Sequence, residues 1–219
     1  MDNKTTSAAS KDPSRPIHFL VWGGLAVVIA IVVALFVREG GFQQKASYPV
    51  VATVQPFSLT NQLGEPVTLE TLRGHVWVAD VIFTRCGGPC PTMTREMATL
   101  ARSAGPNARF VTLTTDPEND TPTVMKEYSA RFEADPKRWS FLTGPKKEIA
   151  RLAVQDLKFT TMEKDPGQQE NENDLFIHSS NFMVVDKKGR VRASVESLEP
   201  FAQDTLLKII KDLEREPAR

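Results

Sequence analysis

Cysteine is nearly absent: two residues in a chain of 219. Two cysteines cannot build the disulfide framework of a small secreted scaffold, nor a four-thiolate zinc site. They supply one disulfide, one dithiol, or part of one metal site. Histidine is as scarce, with three residues. Net charge is absent too, because 27 Lys+Arg balance 27 Asp+Glu. Without the basic footprint that nucleic-acid binding leaves, no nucleic-acid partner is expected. Internal repeats are lacking, and long apolar runs are limited to one, which excludes a polytopic membrane protein.

That one run covers residues 17–37, IHFLVWGGLAVVIAIVVALFV, with His18 as its only ionisable side chain. About 20 such residues are enough for a helix to cross a bilayer. The apolar part of a cleaved signal peptide is usually shorter, about 7–15 residues, and ends at a small-residue site. Here Phe36-Val37-Arg38-Glu39 follows instead. The expectation is an uncleaved transmembrane anchor at 17–37, with cleavage as the alternative. Lys4, Lys11 and Arg15 precede the run, and Arg38 and Lys45 follow it. That small bias and the short tail favour the N-terminus inside, leaving the rest on the periplasmic side of a bacterial-type inner membrane. Residues 1–16, polar and Ser/Thr-rich, read as a disordered cytoplasmic tail. Residues 38–48 read as a linker, and 49–219 as one domain of ordinary size.

Within that domain, 57–60 and 67–69 flank Asn61-Gln62-Leu63-Gly64 as a hairpin. Residues 76–83, VWVADVIF, read as a buried strand, 109–115 as a second and 139–142 as a third. Helices are expected over about 92–103, 123–132, 146–155 and 201–216. Residues 160–174 read as an exposed polar loop. Strands 180–185 and 191–194 flank Asp186-Lys187-Lys188-Gly189 as a second hairpin. Strands alternating with helices, then a hairpin and a closing helix, describe a layered α/β domain.

The two cysteines lie four apart in Cys86-Gly87-Gly88-Pro89-Cys90-Pro91, between the first buried strand and a helix. Such junctions are where α/β folds place sites rather than core. Pro91 suits the first position of that helix, and Gly87 and Gly88 are read as letting the loop fold back. The unpaired amides of a helix start are expected to lower the cysteine pKa and favour thiolate. Of the histidines, His18 falls at the edge of the apolar run and His75 in a turn. His178 ends the polar loop and enters the strand at 180–185; in a parallel layout it would lie beside the cysteine loop. Thiolates favour copper(I), and imidazole accepts copper in either oxidation state. Cys86, Cys90 and His178 would make an open three-ligand copper site; zinc accepts the same set but normally completes a tetrahedron.

At this point the chain resembles the Sco/SenC family of membrane-anchored, thioredoxin-like copper proteins over most of 54–213. Phe83-Thr84-Arg85-Cys86 with Cys90-Pro91 is similar to the family's cysteine loop. Asp116-Pro117-Glu118-Asn119-Asp120-Thr121-Pro122 is similar to its D-P-x-x-D-T-P signature. Trp139-Ser140-Phe141-Leu142-Thr143-Gly144 is similar to W-x-x-L-T-G, and His178-Ser179 with the following hairpin to its late histidine segment. The resemblance implies a thioredoxin-like fold with an N-terminal hairpin behind a single transmembrane helix. It implies copper, as Cu(I) or Cu(II), held by Cys86, Cys90 and His178. The implied role is a metallochaperone rather than an enzyme, delivering copper to the dinuclear centre of cytochrome c oxidase. The implied partners are the copper-accepting subunit of that oxidase and a copper donor or thiol reductase.

Two departures stand out. Gly87-Gly88-Pro89 replaces the family's proline after the first cysteine and its acidic loop residue, and Ile177 stands where an Asp often precedes the histidine. The alternative function is a thiol–disulfide oxidoreductase, using Cys86 and Cys90 as a redox pair. Three residues separate the cysteines, against two in common thioredoxin motifs, and no proline occurs between Pro166 and Pro200. A peroxiredoxin fails, since Phe83 and Ala79 stand where its Thr and Pro belong. A copper-responsive sensor remains open. Asp116 and Asp120 are expected in turn and capping roles, Trp139 and Phe141 in the core. Met93 and Met97, one helical turn apart, are expected as a core stripe.

Overall fold

The computed structural model describes residues 15–38, 48–160 and 179–217. The chain divides into two compact units, Met1–Lys45 and Ala46–Arg219. In the first, α1 (Arg15–Arg38) is a single helix of 24 residues whose side chains at 21–35 are exposed. Among the described residues no helix is long and apolar enough to cross a membrane.

The second unit is built on a six-stranded sheet. Its strands are β1 (Ala52–Thr53), β4 (Trp77–Ile82), β5 (Arg109–Thr114), β6 (Trp139–Leu142), β7 (Asn181–Val185) and β8 (Arg190–Glu196). The spatial order is β1-β8-β7-β4-β5-β6. β4, β5 and β6 are parallel; β7 is antiparallel to β4, β8 to β7 and β1 to β8. This is the mixed α/β, thioredoxin-like arrangement expected from the sequence.

β4 is buried at every position because both sheet faces are covered. Side chains alternate along it. Val76, Val78 and Ile82 join a core with α3 (Cys90–Ser103), α4 (Pro122–Ala130) and α6 (Ala202–Glu214). Trp77, Ala79 and Val81 join a second core. That core also takes Leu69 and Leu72 of α2 (Leu69–Leu72) and Ile149 of α5 (Lys146–Ala150). α5 continues into a wider π-helical turn, Arg151–Asp156. Met93 and Met97 are fully buried, the core stripe their spacing predicts, at about 1.5–3 kcal/mol of apolar burial each.

The hairpin β2 (Ser58–Thr60) and β3 (Pro66–Thr68) covers the β6 edge. Gln62 at its tip donates from Nε2 to the Trp139 carbonyl (2.8 Å) and accepts from the Phe141 amide (2.9 Å). Its amide thus occupies edge groups that would otherwise be open to another strand. The hairpin β7–β8 turns on Gly189, at φ 77°, where a Cβ would lie 3.0 Å from Leu69 Cδ1. Glycine answers both constraints.

The opposite pole from the cysteines is tied by charge. Arg192 of β8 pairs with Asp186 (2.7 Å) and Glu216 (2.8 Å) and donates to the Tyr48 carbonyl (2.9 Å). The Tyr48 hydroxyl donates to Asp212 of α6 (3.1 Å), and Lys187 Nζ donates to the carbonyls of Glu214 and Glu216. Asp186 is held below the usual carboxylate range: burial pushes its pKa up, and Arg190 and Arg192 overcome that.

Candidate functional site

The chain leaves β4 through a turn in which the Cys86 amide donates to the Phe83 carbonyl (3.2 Å). Four residues later Cys90 opens α3. The sequence expectation placed Pro91 at the first helical position. Instead Cys90 is the first residue, Pro91 the second and Pro89 the N-cap, with αR torsions. The Pro89 carbonyl accepts from the amides of Thr92 and Met93, both at 2.9 Å. Neither Gly87 nor Gly88 has a positive φ. A Cβ on Gly87 would meet nothing within 4 Å, and one on Gly88 would touch Cys86 Sγ at an ordinary 3.8 Å. The glycines are therefore not required by the loop geometry, contrary to the sequence reading.

Both cysteines are buried, Cys86 at 6% exposure and Cys90 at 0%. Cys86 Sγ, nearer the surface, accepts from the Gly88 amide (3.4 Å). The Cys90 thiol is pushed well above the ordinary range. Its hydrogen bond with Cys86 is the main cause, followed by burial, the Cys86 charge and, more weakly, Asp80. The expectation of a helix-lowered pKa is thus overturned for Cys90. Losing the Cys90 proton would break the bond to Cys86 and leave a charge in a desolvated place, which outweighs the amides of the helix start.

Three residues around Cys90 escaped the sequence reading. Thr94 donates to the Cys90 carbonyl (2.9 Å) and shares a hydrogen bond with the Tyr128 hydroxyl (3.0 Å). Tyr128 is raised in pKa, mainly by burial. Asp80 is fully buried, and by strand alternation it shares the α3 face of β4 with Val78 and Ile82. Neither of its carboxylate oxygens has a hydrogen-bond partner among the described residues. Burial raises its pKa to about 7, which the nearby Thr112 hydroxyl and its own backbone amide offset in part. The signal was present: one carboxylate inside the apolar run VWVADVIF.

His178 and the run Glu170-Asn171-Glu172-Asn173-Asp174 lie outside the described residues. The described chain resumes at Ser179, immediately before β7. β7 pairs antiparallel with β4, Ala79 opposite Met183 and Trp77 opposite Val185. The start of β7 therefore lies at the cysteine end of β4. The parallel layout assumed from the sequence would have put it at the other end. His75 is a turn residue, its ring Nδ1 2.9 Å from the Asn107 carbonyl. Among the described residues no group of three His, Cys, Asp or Glu side chains forms a metal cluster. Two thiols joined by a hydrogen bond can form a disulfide with loss of two protons and two electrons, or offer two soft ligands to one metal.

The model of the SCO1/SenC family matches residues 45–214. A SCO1 protein homolog from Bacillus subtilis is 34% identical over 181 residues, covering 81% of this chain and 90% of the relative. The structure of BsSco is similar at 32% identity and a TM-score of 0.64, covering 77% of this chain and 97% of that one. BsSco is a member of the Sco family of cytochrome c oxidase assembly proteins, in which a disulfide switch has been identified. ScoI of Bradyrhizobium japonicum, solved with copper bound, is similar at 25% identity and a TM-score of 0.61, covering 74% and 99%. The fold, the cysteine loop at the end of β4 and these likenesses together make the chain a member of the SCO1/SenC family.

Proposed function

We propose that this chain binds one copper ion through Cys86, Cys90 and His178 and delivers it to the dinuclear copper centre of cytochrome c oxidase. The observation that carries the reading is the pair of hydrogen-bonded thiols at the end of β4, in a member of a family with a copper-bound structure. The partners are the copper-accepting oxidase subunit and a donor or thiol reductase that reloads the site. Copper is cargo, carried as Cu(I) or Cu(II). The antiparallel β7 supports the histidine assignment, because Ser179, the next residue in sequence, stands two residues before β7, whose start lies at the cysteine end of β4. Residues 17–37 serve as a single-pass membrane anchor, behind a cytoplasmic tail (1–16) and ahead of a linker (38–48). The apolar run at 17–37, with His18 as its only ionisable side chain, supports the anchor. The 49–219 domain then works on the periplasmic side.

Titration of the full chain with copper(I) and copper(II), as wild type and His178→Ala, tests the ligand set. The variant is expected to lose copper(II) affinity and to change the thiolate-to-copper band. Unchanged binding and spectrum would remove His178 from the site.

A second reading rests on the asymmetry of the two thiols and on the disulfide switch of BsSco. In it Cys86 attacks a client disulfide and Cys90 resolves the mixed disulfide. The client gains two electrons and two protons, and this chain leaves with a Cys86–Cys90 bond. Full rescue of oxidase assembly by His178→Ala would favour this role over copper delivery.

A further inference from the structure

The turn that presents Cys86 is gripped from outside by the loop after β5. Residues Phe83 to Cys86 close a turn, and its two central residues each meet an aspartate from that loop. The Thr84 amide donates to Asp120 Oδ2 (3.1 Å), and the Thr84 hydroxyl donates to Asp120 Oδ1. The Thr114 hydroxyl, at the end of β5, donates to Asp120 Oδ2. Arg85 Nη2 donates to Asp116 Oδ2 (2.8 Å). Asp116 is itself oriented by Asn119 Nδ2 at 2.9 Å from each of its oxygens. Asp120 is fully buried and Asp116 nearly so.

Of the turn and capping roles expected of these aspartates, the turn is present: the Asp116 carbonyl accepts from the amides of Asn119 (3.1 Å) and Asp120 (2.9 Å). Thr121 caps α4, its hydroxyl accepting from the Val124 amide (3.4 Å). The side chains of Asp116 and Asp120 point back to the cysteine turn instead. Three donors converge on Asp120, and an ionised carboxylate accepts all three without offering a donor of its own. An asparagine would turn an NH2 towards one of them. Burial raises the Asp120 pKa, while its bonds to Thr114 and Thr84 pull it back.

We infer that Asp120, assisted by Asp116, is a positioning residue for the copper and redox site: it fixes Thr84 and Arg85, and through them sets where Cys86 stands relative to Cys90. This rests on the reading of the cysteine pair as the site. It assigns the aspartate loop to holding the ligands rather than to building a helix end.

The test uses the full chain, reduced and copper-free, as wild type, Asp120→Ala, Asp120→Asn and Thr84→Ala. Arg192→Met, at the opposite pole, serves as a control for general loss of stability. Three quantities are read: the alkylation rate of Cys86 by mass spectrometry, the copper(I) affinity and the melting temperature. Asp120→Ala is expected to alkylate Cys86 about tenfold faster by local opening of the turn. Its copper(I) affinity should fall about ten- to hundredfold, as when the support of a ligand is removed. Asp120→Asn should lie between, and Arg192→Met should melt lower with both site readouts at wild-type values. Thr84→Ala probes the same contact from the other side if Asp120→Ala does not fold. Wild-type alkylation in the aspartate and threonine variants overturns the inference, and so does equal acceleration in Arg192→Met. If the wild type binds no copper the function proposed above fails, while the alkylation rates still decide the role of Asp120.

Discussion

Asp80→Asn removes the one buried carboxylate of β4 with little change of shape. In the folded chain the Asp80 pKa is about 7, against 3.8 for an exposed aspartate. At about 1.4 kcal/mol per pH unit, ionising it in place costs about 4 kcal/mol. The sign follows from linkage: a carboxylate raised on folding weighs nothing below its unfolded pKa, and its penalty grows as pH rises towards the folded one. Wild-type stability therefore loses about 2.5 kcal/mol between pH 5 and pH 8 through this residue alone. The asparagine amide, buried without partners, carries its own pH-independent penalty of about 1–3 kcal/mol. The difference in pH slope between variant and wild type is consequently the clean quantity. Urea unfolding of the reduced, copper-free chain, followed by the fluorescence of buried Trp77 and Trp139, measures it. The variant should gain on the wild type by about 2.5 kcal/mol from pH 5 to pH 8. Parallel pH profiles would refute the reasoning, since they would mean that Asp80 is solvated or partnered.

Alanine at Gly87 or Gly88 should change melting and copper affinity little, within about 0.5 kcal/mol of stability, because no positive φ or backbone clash stands in its way. Gly189→Ala, by contrast, should lose about 1 kcal/mol or more in urea unfolding, since φ 77° and the Leu69 methyl both oppose a Cβ. Alkylation from pH 7 to pH 9 should modify Cys86 before Cys90, whose proton is held by burial and by Cys86 itself; equal rates would contradict the asymmetry. Arg192→Met should lower stability by about 1–3 kcal/mol in urea unfolding, because Asp186 keeps Arg190 but loses its second guanidinium, and Glu216 and the Tyr48 carbonyl lose the same donor.

Much of this fold was legible in the sequence because its signals are local. β-branched runs gave the strands, and 139–142 emerged with those same limits. Asp186-Lys187-Lys188-Gly189 marked the second hairpin. The two-residue β1 and one-turn α2 carried too little pattern to be seen. The π-helical turn after α5 was read as ordinary helix, because its apolar spacing is the same. Site electrostatics were the least legible. A helix start predicts a lowered thiol pKa, but the hydrogen bond between the two sulfurs and the burial of Cys90 come from packing. Asp116 and Asp120 look like capping residues next to Thr121-Pro122, and only the tertiary contact to Thr84 and Arg85 reveals their direction. Strand orientation was equally invisible, because hydrophobic periodicity is the same for parallel and antiparallel neighbours.

The charged knot around Arg192 fixes which end of the unit bears strain from the preceding chain. It gathers the entry of the chain at Tyr48 and the last turn of α6 at the start of β4, whereas the cysteines sit at its far end. Six strand residues, about 20 Å, separate the two poles. Chain entry and the charged knot therefore share one pole of this unit, so a change at Tyr48 or Arg192 loosens the fold there and leaves the cysteine turn about 20 Å away.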